Sequence, residues 1–275
     1  MNARNWAKSG GVGGRPHARC CGASDELAEA SEPGYDRAMA KTNGAGRVLP
    51  HGPIEQLESN LWRVEGTLPN MSLKRVMTIA RLSTGEIVVH NPITLDGGAM
   101  KELDALGSPA FVIIPNGWHR LDAGAFQARY PQARVFAPQG SRAKVARVVE
   151  VAGTFAEFPL DKSVSLTELD GTRAAEGVMF VRSDGRTTLV FTDAIFNMPH
   201  GHGFTGFLLR YITQSTGGPR VSRVAKLMLI KDKPAFAAHL ERLATPDVHR
   251  IIVAHHQTIT ERPVEVLREV AASVR

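Results

Sequence analysis

The chain has 275 residues, 43% of them hydrophobic, and a formal net charge of +6. That supplies apolar material for one large core or two small ones, while the mild, dispersed positive excess is not the basic stripe of a nucleic-acid binder. No apolar run approaches the about 18 residues of a membrane span, so neither a nucleic acid nor a membrane is expected as a partner; a small-molecule ligand is.

Residues 1–48 are rich in Gly, Ala, Ser and charge and show little periodicity, and are expected to form a disordered tail ahead of one domain over 49–275. The two cysteines, Cys20 and Cys21, are adjacent within that tail, so the globular part needs no disulfide, as in a reducing compartment. The tail has no apolar h-region of a secretory signal, and a cytoplasmic location is the expectation. Met39 offers a second plausible start.

From residue 61 the pattern changes. Leu61–Glu65 alternates apolar and polar side chains, as a half-buried strand does. Val76–Leu82 and Glu86–His90 are β-rich runs joined by Ser83-Thr84-Gly85, the signature of a hairpin, and Asn91-Pro92 stops the second. Met100–Leu106 has helical spacing and ends at Gly107, while Ala110–Ile114 is a continuous apolar run, the pattern of a strand buried on both faces. A helix over Leu121–Tyr130, a strand over Arg134–Ala137 and a helix over Arg142–Val149 complete an alternating α/β half.

Consecutive strands then follow: Ser163–Leu169, Gly177–Arg182 and Thr187–Asp193, with Asp170-Gly171 and Ser183-Asp184-Gly185 as turns. Residues 194–220 hold Gly and Pro and read as a long loop. Val221–Ile230, Pro234–Leu243 and Pro263–Val274 have helical periodicity, with Pro234 and Pro263 suited to first helical turns. Arg250–Ala254 is a last buried strand, ending at His255-His256. Two strand-rich halves, each followed by helices, make a four-layer αββα sandwich in which strand ends converge on one rim.

Three local patterns carry a family resemblance. Val88-Val-His-Asn-Pro-Ile-Thr-Leu-Asp96 is a strand running on to an aspartate. Ile114-Pro-Asn-Gly-Trp-His-Arg-Leu121 follows a buried strand and precedes a helix. Leu189-Val-Phe-Thr-Asp-Ala-Ile-Phe196 is a strand delivering an aspartate. In this order they resemble metallo-β-lactamase-fold proteins over roughly residues 55–275, and most closely the DUF4336-type branch. The resemblance implies a single αββα domain and a hydrolase-like activity. It maps the metal-bridging aspartate to Asp193 and the last histidine to His255.

The same resemblance shows what is missing. Aligned on Gly124, the four positions of the His-x-His-x-Asp-His motif hold Asn116, Trp118, Arg120 and Leu121, and Leu169-Asp-Gly-Thr-Arg-Ala174 lacks the further histidine of the superfamily. A two-metal site needs two sets of three or more ligands, which these positions do not supply. Arg120 stands where the second-site aspartate would be; a guanidinium there repels a cation and attracts a carboxylate or phosphate.

A different set remains. His90, His119, Asp193 and His255 all sit at or beyond strand ends, and three histidines with one carboxylate suit one Zn, Fe or Mn ion. His256, His200 and His202 are candidates for a surrounding shell. Each residue also has a plain structural role open to it: a strand-end histidine on a backbone carbonyl, a loop histidine at the surface, a carboxylate capping backbone N–H groups. Trp118 either fills the vacated metal cavity or walls an aromatic pocket, and Asn116, Trp118 and Arg120 are the candidates for substrate contact. Two functions follow as expectations: a hydrolase with at most one metal, acting on a small ester, lactone or anionic compound, or an inactive relative that binds a ligand or partner through the same cleft, with no metal.

Overall fold

The computed structural model describes residues 46–69, 71–200 and 207–275. The expected tail, with Cys20, Cys21 and Met39, lies outside the described residues, as does His202. Seven strands form the first sheet in chain order: β1 (Glu55–Glu58), β2 (Leu61–Leu68), β3 (Met71–Arg81), β4 (Ile87–His90), β5 (Pro109–Ile113), β6 (Arg134–Ala137) and β7 (Gly153–Thr154). β1 to β4 pair antiparallel, β4 to β7 parallel. The second sheet has β8 (Val164–Glu168), β9 (Gly177–Ser183), β10 (Arg186–Phe191) and β13 (Val248–Val253), in the order β13-β10-β9-β8. β11 (Phe196–Met198) and β12 (Gly218–Arg220) form a separate ribbon.

Period-2 alternation sorts the side chains into three cores. Phe111 and Ile113 of β5, Val88 of β4, Val190 of β10 and Ile252 of β13 meet in the layer between the sheets. Their neighbours Val112 and Val89 point the other way, against the helices α1 (Gly97–Leu106), α2 (Ala123–Arg129) and α3 (Arg142–Val145), through Met100, Leu103, Phe126 and Val145. Leu189, Phe191, Ile251 and Val253 likewise face α4 (Arg223–Met228), α5 (Lys233–Leu243) and α6 (Pro263–Ala272), through Ala225, Phe236, Leu240, Leu267 and Val270. The arrangement is the expected αββα sandwich.

Element boundaries differ from the sequence reading where a cap or turn intervenes. α1 starts three residues before Met100 because Asp96 caps it, accepting from the N–H groups of Gly98 and Ala99. The helix expected to Val149 ends at Val145, and the loop expected over 194–220 contains β11 and β12. Asp184 (φ 50°) and Gly185 (φ 77°) are both left-handed, as a two-residue turn between twisted strands requires. β10 stops at Phe191, two residues short of the expected end, which places Asp193 in the loop beyond it.

Candidate metal centre

The parallel pairing of β10 and β13 sets Phe191 beside Val253. Two residues further along each chain stand Asp193 and His255, and His255 Nε2 lies 3.1 Å from Asp193 Oδ1. The rim is also where the two sheets are tied: Val76 N–H donates to the Ala254 carbonyl at 2.8 Å. His255 Nδ1 donates to the Lys74 carbonyl at 2.8 Å, and its ring stacks on Phe196 with centroids 5.3 Å apart.

His119 enters from the loop after β5. Asn116 shapes that loop: its Oδ1 accepts from the backbone N–H of Trp118 (2.9 Å) and of His119 (3.1 Å), closing a local turn. The ring of His119 then sits with Nε2 3.2 and 3.3 Å from the two Asp193 oxygens and Nδ1 2.9 Å from Asn91 Oδ1. Asn91 is itself fixed, with a left-handed backbone (φ 55°) and its Nδ2 donating to the Val76 carbonyl at 2.7 Å. One donor atom from each of His119, Asp193 and His255 lies within 4.8 Å of the other two.

The structure thus brings together three of the four expected residues. His90 stays outside this set. It is the last residue of β4, paired with Thr78 and Ile113 on either side, and its ring is buried with Nδ1 lacking a hydrogen-bond partner. Burial pushes its imidazole down to about 3, with the nearby His119 acting in the same direction.

Beneath the cluster lies a residue the sequence reading passed over. Glu176, fully buried just before β9, accepts from the N–H groups of Thr192 (3.3 Å), Asp193 (3.1 Å) and Ala194 (2.8 Å) and from Asn116 Nδ2 (3.0 Å). The other hydrogen of the same Asn116 amide goes to Asp193 Oδ2 at 2.7 Å. Burial, then the charge of Asp193, pushes Glu176 up to about 8, against the pull of these donors. Burial alone would raise Asp193 too, but His119 and His255 more than offset it and hold it well below the usual carboxylate range. The signal in the sequence was a single acid, Glu176, set directly before the apolar run of a strand.

The residues expected to touch substrate are placed as follows. Asn116 is buried and uses all four of its hydrogen-bonding positions within the protein. Arg120 is 1% exposed, with Nη1 donating to the Lys144 carbonyl at 2.9 Å. Trp118 is half-buried and packs against the helix-side core of the second sheet. His256, left-handed at φ 68°, is half-buried and accepts from Lys74 N–H at 3.4 Å. His200 is exposed and bonds Thr216 Oγ1 at 3.1 Å.

Two stacked sheets between helix layers, with a His-Asp-His cluster on the rim where both sheets end, define a metallo-β-lactamase-type fold. No protein-family model matches the sequence, and no curated protein matches it in sequence. Solved structures match the fold. The DIM-1 metallo-β-lactamase superimposes with a TM-score of 0.53 and 11% identity, over 82% of this chain and 100% of its own. TMB-1 gives 0.55 and 13%, over 82% of this chain and 98% of its own. A metallo-β-lactamase from Pontibacter korlensis gives 0.52 and 10%, over 80% and 98%. At such identities the likeness is one of fold.

Proposed function

We propose that this protein is a hydrolase of the metallo-β-lactamase-like, DUF4336-type branch that uses one divalent ion held by His119, Asp193 and His255. One observation carries the reading. Both histidines face a hydrogen-bond acceptor with Nδ1, Asn91 Oδ1 for one and the Lys74 carbonyl for the other, so each Nδ1 bears the proton and each Nε2 is turned to Asp193. The two rings stand 5.1 Å apart with both Nε2 atoms converging on the one carboxylate. With an ion, both rings are neutral and their lone pairs are already aimed. The separations of the two Nε2 atoms from the Asp193 oxygens, 3.1–3.3 Å, are close to the edge of a tetrahedron with ligands at about 2.0–2.1 Å.

Two histidines and a carboxylate suit Zn, Fe or Mn with open positions for substrate and water. Bound there, such an ion supplies Lewis acidity toward a substrate oxygen and lowers the pKa of water to about 7. The protein's part is to hold the set rigid. Asn91 and the Lys74 carbonyl fix the two rings, and Asn116 with Glu176 fixes Asp193. The substrate favoured by this reading is a small ester or lactone, since Arg120, the group that would draw an anionic one, is 1% exposed.

Elemental analysis of tag-free protein tests the proposal, together with hydrolysis of a chromogenic acetate ester. One ion per chain and an activity lost in Asp193→Ala are expected. Protein that retains no zinc, iron or manganese after incubation in excess and gel filtration would overturn it and favour the inactive relative that binds a ligand or partner.

A further inference from the structure

Eight large hydrophobic side chains are exposed among the described residues, and six of them fall between positions 207 and 228: Phe207, Tyr211, Ile212, Val224, Leu227 and Met228. In α4, Ala225 is buried and Leu229 follows it inward, which turns Val224, Leu227 and Met228, spaced i, i+3, i+4, to the outside. A surface helix ordinarily reserves that face for polar residues. Leu227 is 77% exposed. The rings of Phe207 and Tyr211 touch, with centroids 4.9 Å apart. The Arg223 N–H donates to the Thr213 carbonyl at 2.8 Å and its Nη1 to the Tyr211 carbonyl at 3.3 Å, so the two apolar runs adjoin.

The same stretch is basic. Arg210, Arg220, Arg223, Lys226, Lys231 and Lys233 stand against one acid, Asp232, whose carboxylate caps α5 by accepting from Ala235 N–H. The hydrogen bonds of Arg220, Arg223, Lys226 and Lys231 go to backbone carbonyls, which leave the charges unneutralised. Lys226 is half-buried, and after burial itself the charges of Lys233 and Arg220 disfavour its ammonium form, which places three cations close together.

We propose that this apolar face with its basic rim docks the protein on an anionic lipid surface. Apolar side chains that enter the headgroup boundary, flanked by cations on long aliphatic stems, are what such a surface binds. Pairing with a second copy across a two-fold axis would instead set six cations against six. The sequence pointed to no membrane partner because it contains no spanning segment, and no described helix is long and apolar enough to cross a bilayer; peripheral docking needs neither. The proposal stands independently of the metal centre.

Co-sedimentation of the full-length protein with vesicles tests it, comparing pure phosphatidylcholine with a mixture containing phosphatidylserine. Binding at least ~10-fold stronger to the anionic vesicles, and weakened by salt, is expected. Leu227→Glu should cut that binding ~10-fold or more with an unchanged circular-dichroism spectrum, because the side chain packs on little. Leu160→Glu, at an exposed leucine outside this face, should leave it intact. Equal or absent binding to the two vesicle types would overturn the proposal, as would an equal loss in both variants. A concentration-dependent doubling of mass that Leu227→Glu abolishes would overturn it in favour of self-association.

Discussion

Asp193 and His255 are neighbours because β10 and β13 run parallel in register. Each lies two residues past the pair Phe191–Val253, and their side chains meet at 3.1 Å. A parallel pair delivers both side chains to the same rim from strands whose sequences lie 62 residues apart at this contact. His119 reaches that rim from the other sheet, so the cluster joins the two halves of the sandwich.

Removing a member of this set should remove the ion. Asp193→Ala and His255→Ala are each expected to reduce bound metal to background in elemental analysis, because two remaining ligands do not hold a divalent ion tightly. His239→Ala is the control. That histidine, on α5, accepts from Asp170 N–H at 3.0 Å and has no place in the cluster, so metal content should stay at the parent level.

Asn91 should matter without touching the ion. Its Oδ1 orients His119 through Nδ1, and its backbone is left-handed, a conformation that glycine adopts freely. Asn91→Gly therefore removes the amide while tolerating the turn. Loss of such a partner lowers metal affinity about 10–100-fold. A competition titration with a chromogenic chelator measures this, and an unchanged affinity would show that Asn91 does not position the ring.

The fold was legible because the patterns that announce it are local. Short apolar, β-rich runs in β4, β5, β10 and β13, turn residues such as Asp184-Gly185, and the first-turn prolines Pro234 and Pro263 all act within a few residues. Asp193 and His255 were legible for the same reason, as polar residues just past buried strands. His90 shares that position, yet Thr78 and Ile113 flank it and its ring stays buried rather than swinging toward the rim. Glu176 was not legible, because its partners are backbone N–H groups 16 to 18 residues away, and backbone groups leave no mark in a sequence. The surroundings of Arg120 were not legible either: the loop turned by Asn116 carries His119 to the centre, and Arg120 Nη1 donates to the Lys144 carbonyl.

Glu176 gives a third expectation. Every group hydrogen-bonded to it is a donor: three backbone N–H groups and the Asn116 amide. Glu176→Gln keeps the shape but turns an NH2 toward donors in either amide orientation. Leaving a buried donor unsatisfied costs about 1–3 kcal/mol, so above about pH 8, where the Glu176 carboxyl is ionised, the variant should be less stable than the parent by that amount in denaturant unfolding. The segment carrying Asp193 loses its anchor as well, and metal affinity should fall with stability. A variant as stable as the parent would show that the carboxylate does not organise this loop.

His90 sets a pH dependence. Burial first, then the nearby His119, depresses its folded-state pKa from the usual value near 6.5 to about 3. Between those two values the unfolded chain takes up a proton that the folded chain refuses, so the contribution is present above about 6.5 and is lost as pH falls toward about 3. The loss approaches about 1.4 kcal/mol per pH unit inside that window. Denaturant unfolding of the apoprotein at several pH values, beside His90→Leu, isolates the effect. The variant cannot take up that proton in either state, so it should lose less stability on acidification than the parent, whatever the offset between them at neutral pH. Parallel curves would mean that His90 is protonated in the folded protein, and its unpartnered Nδ1 would then need an acceptor drawn to it by local rearrangement.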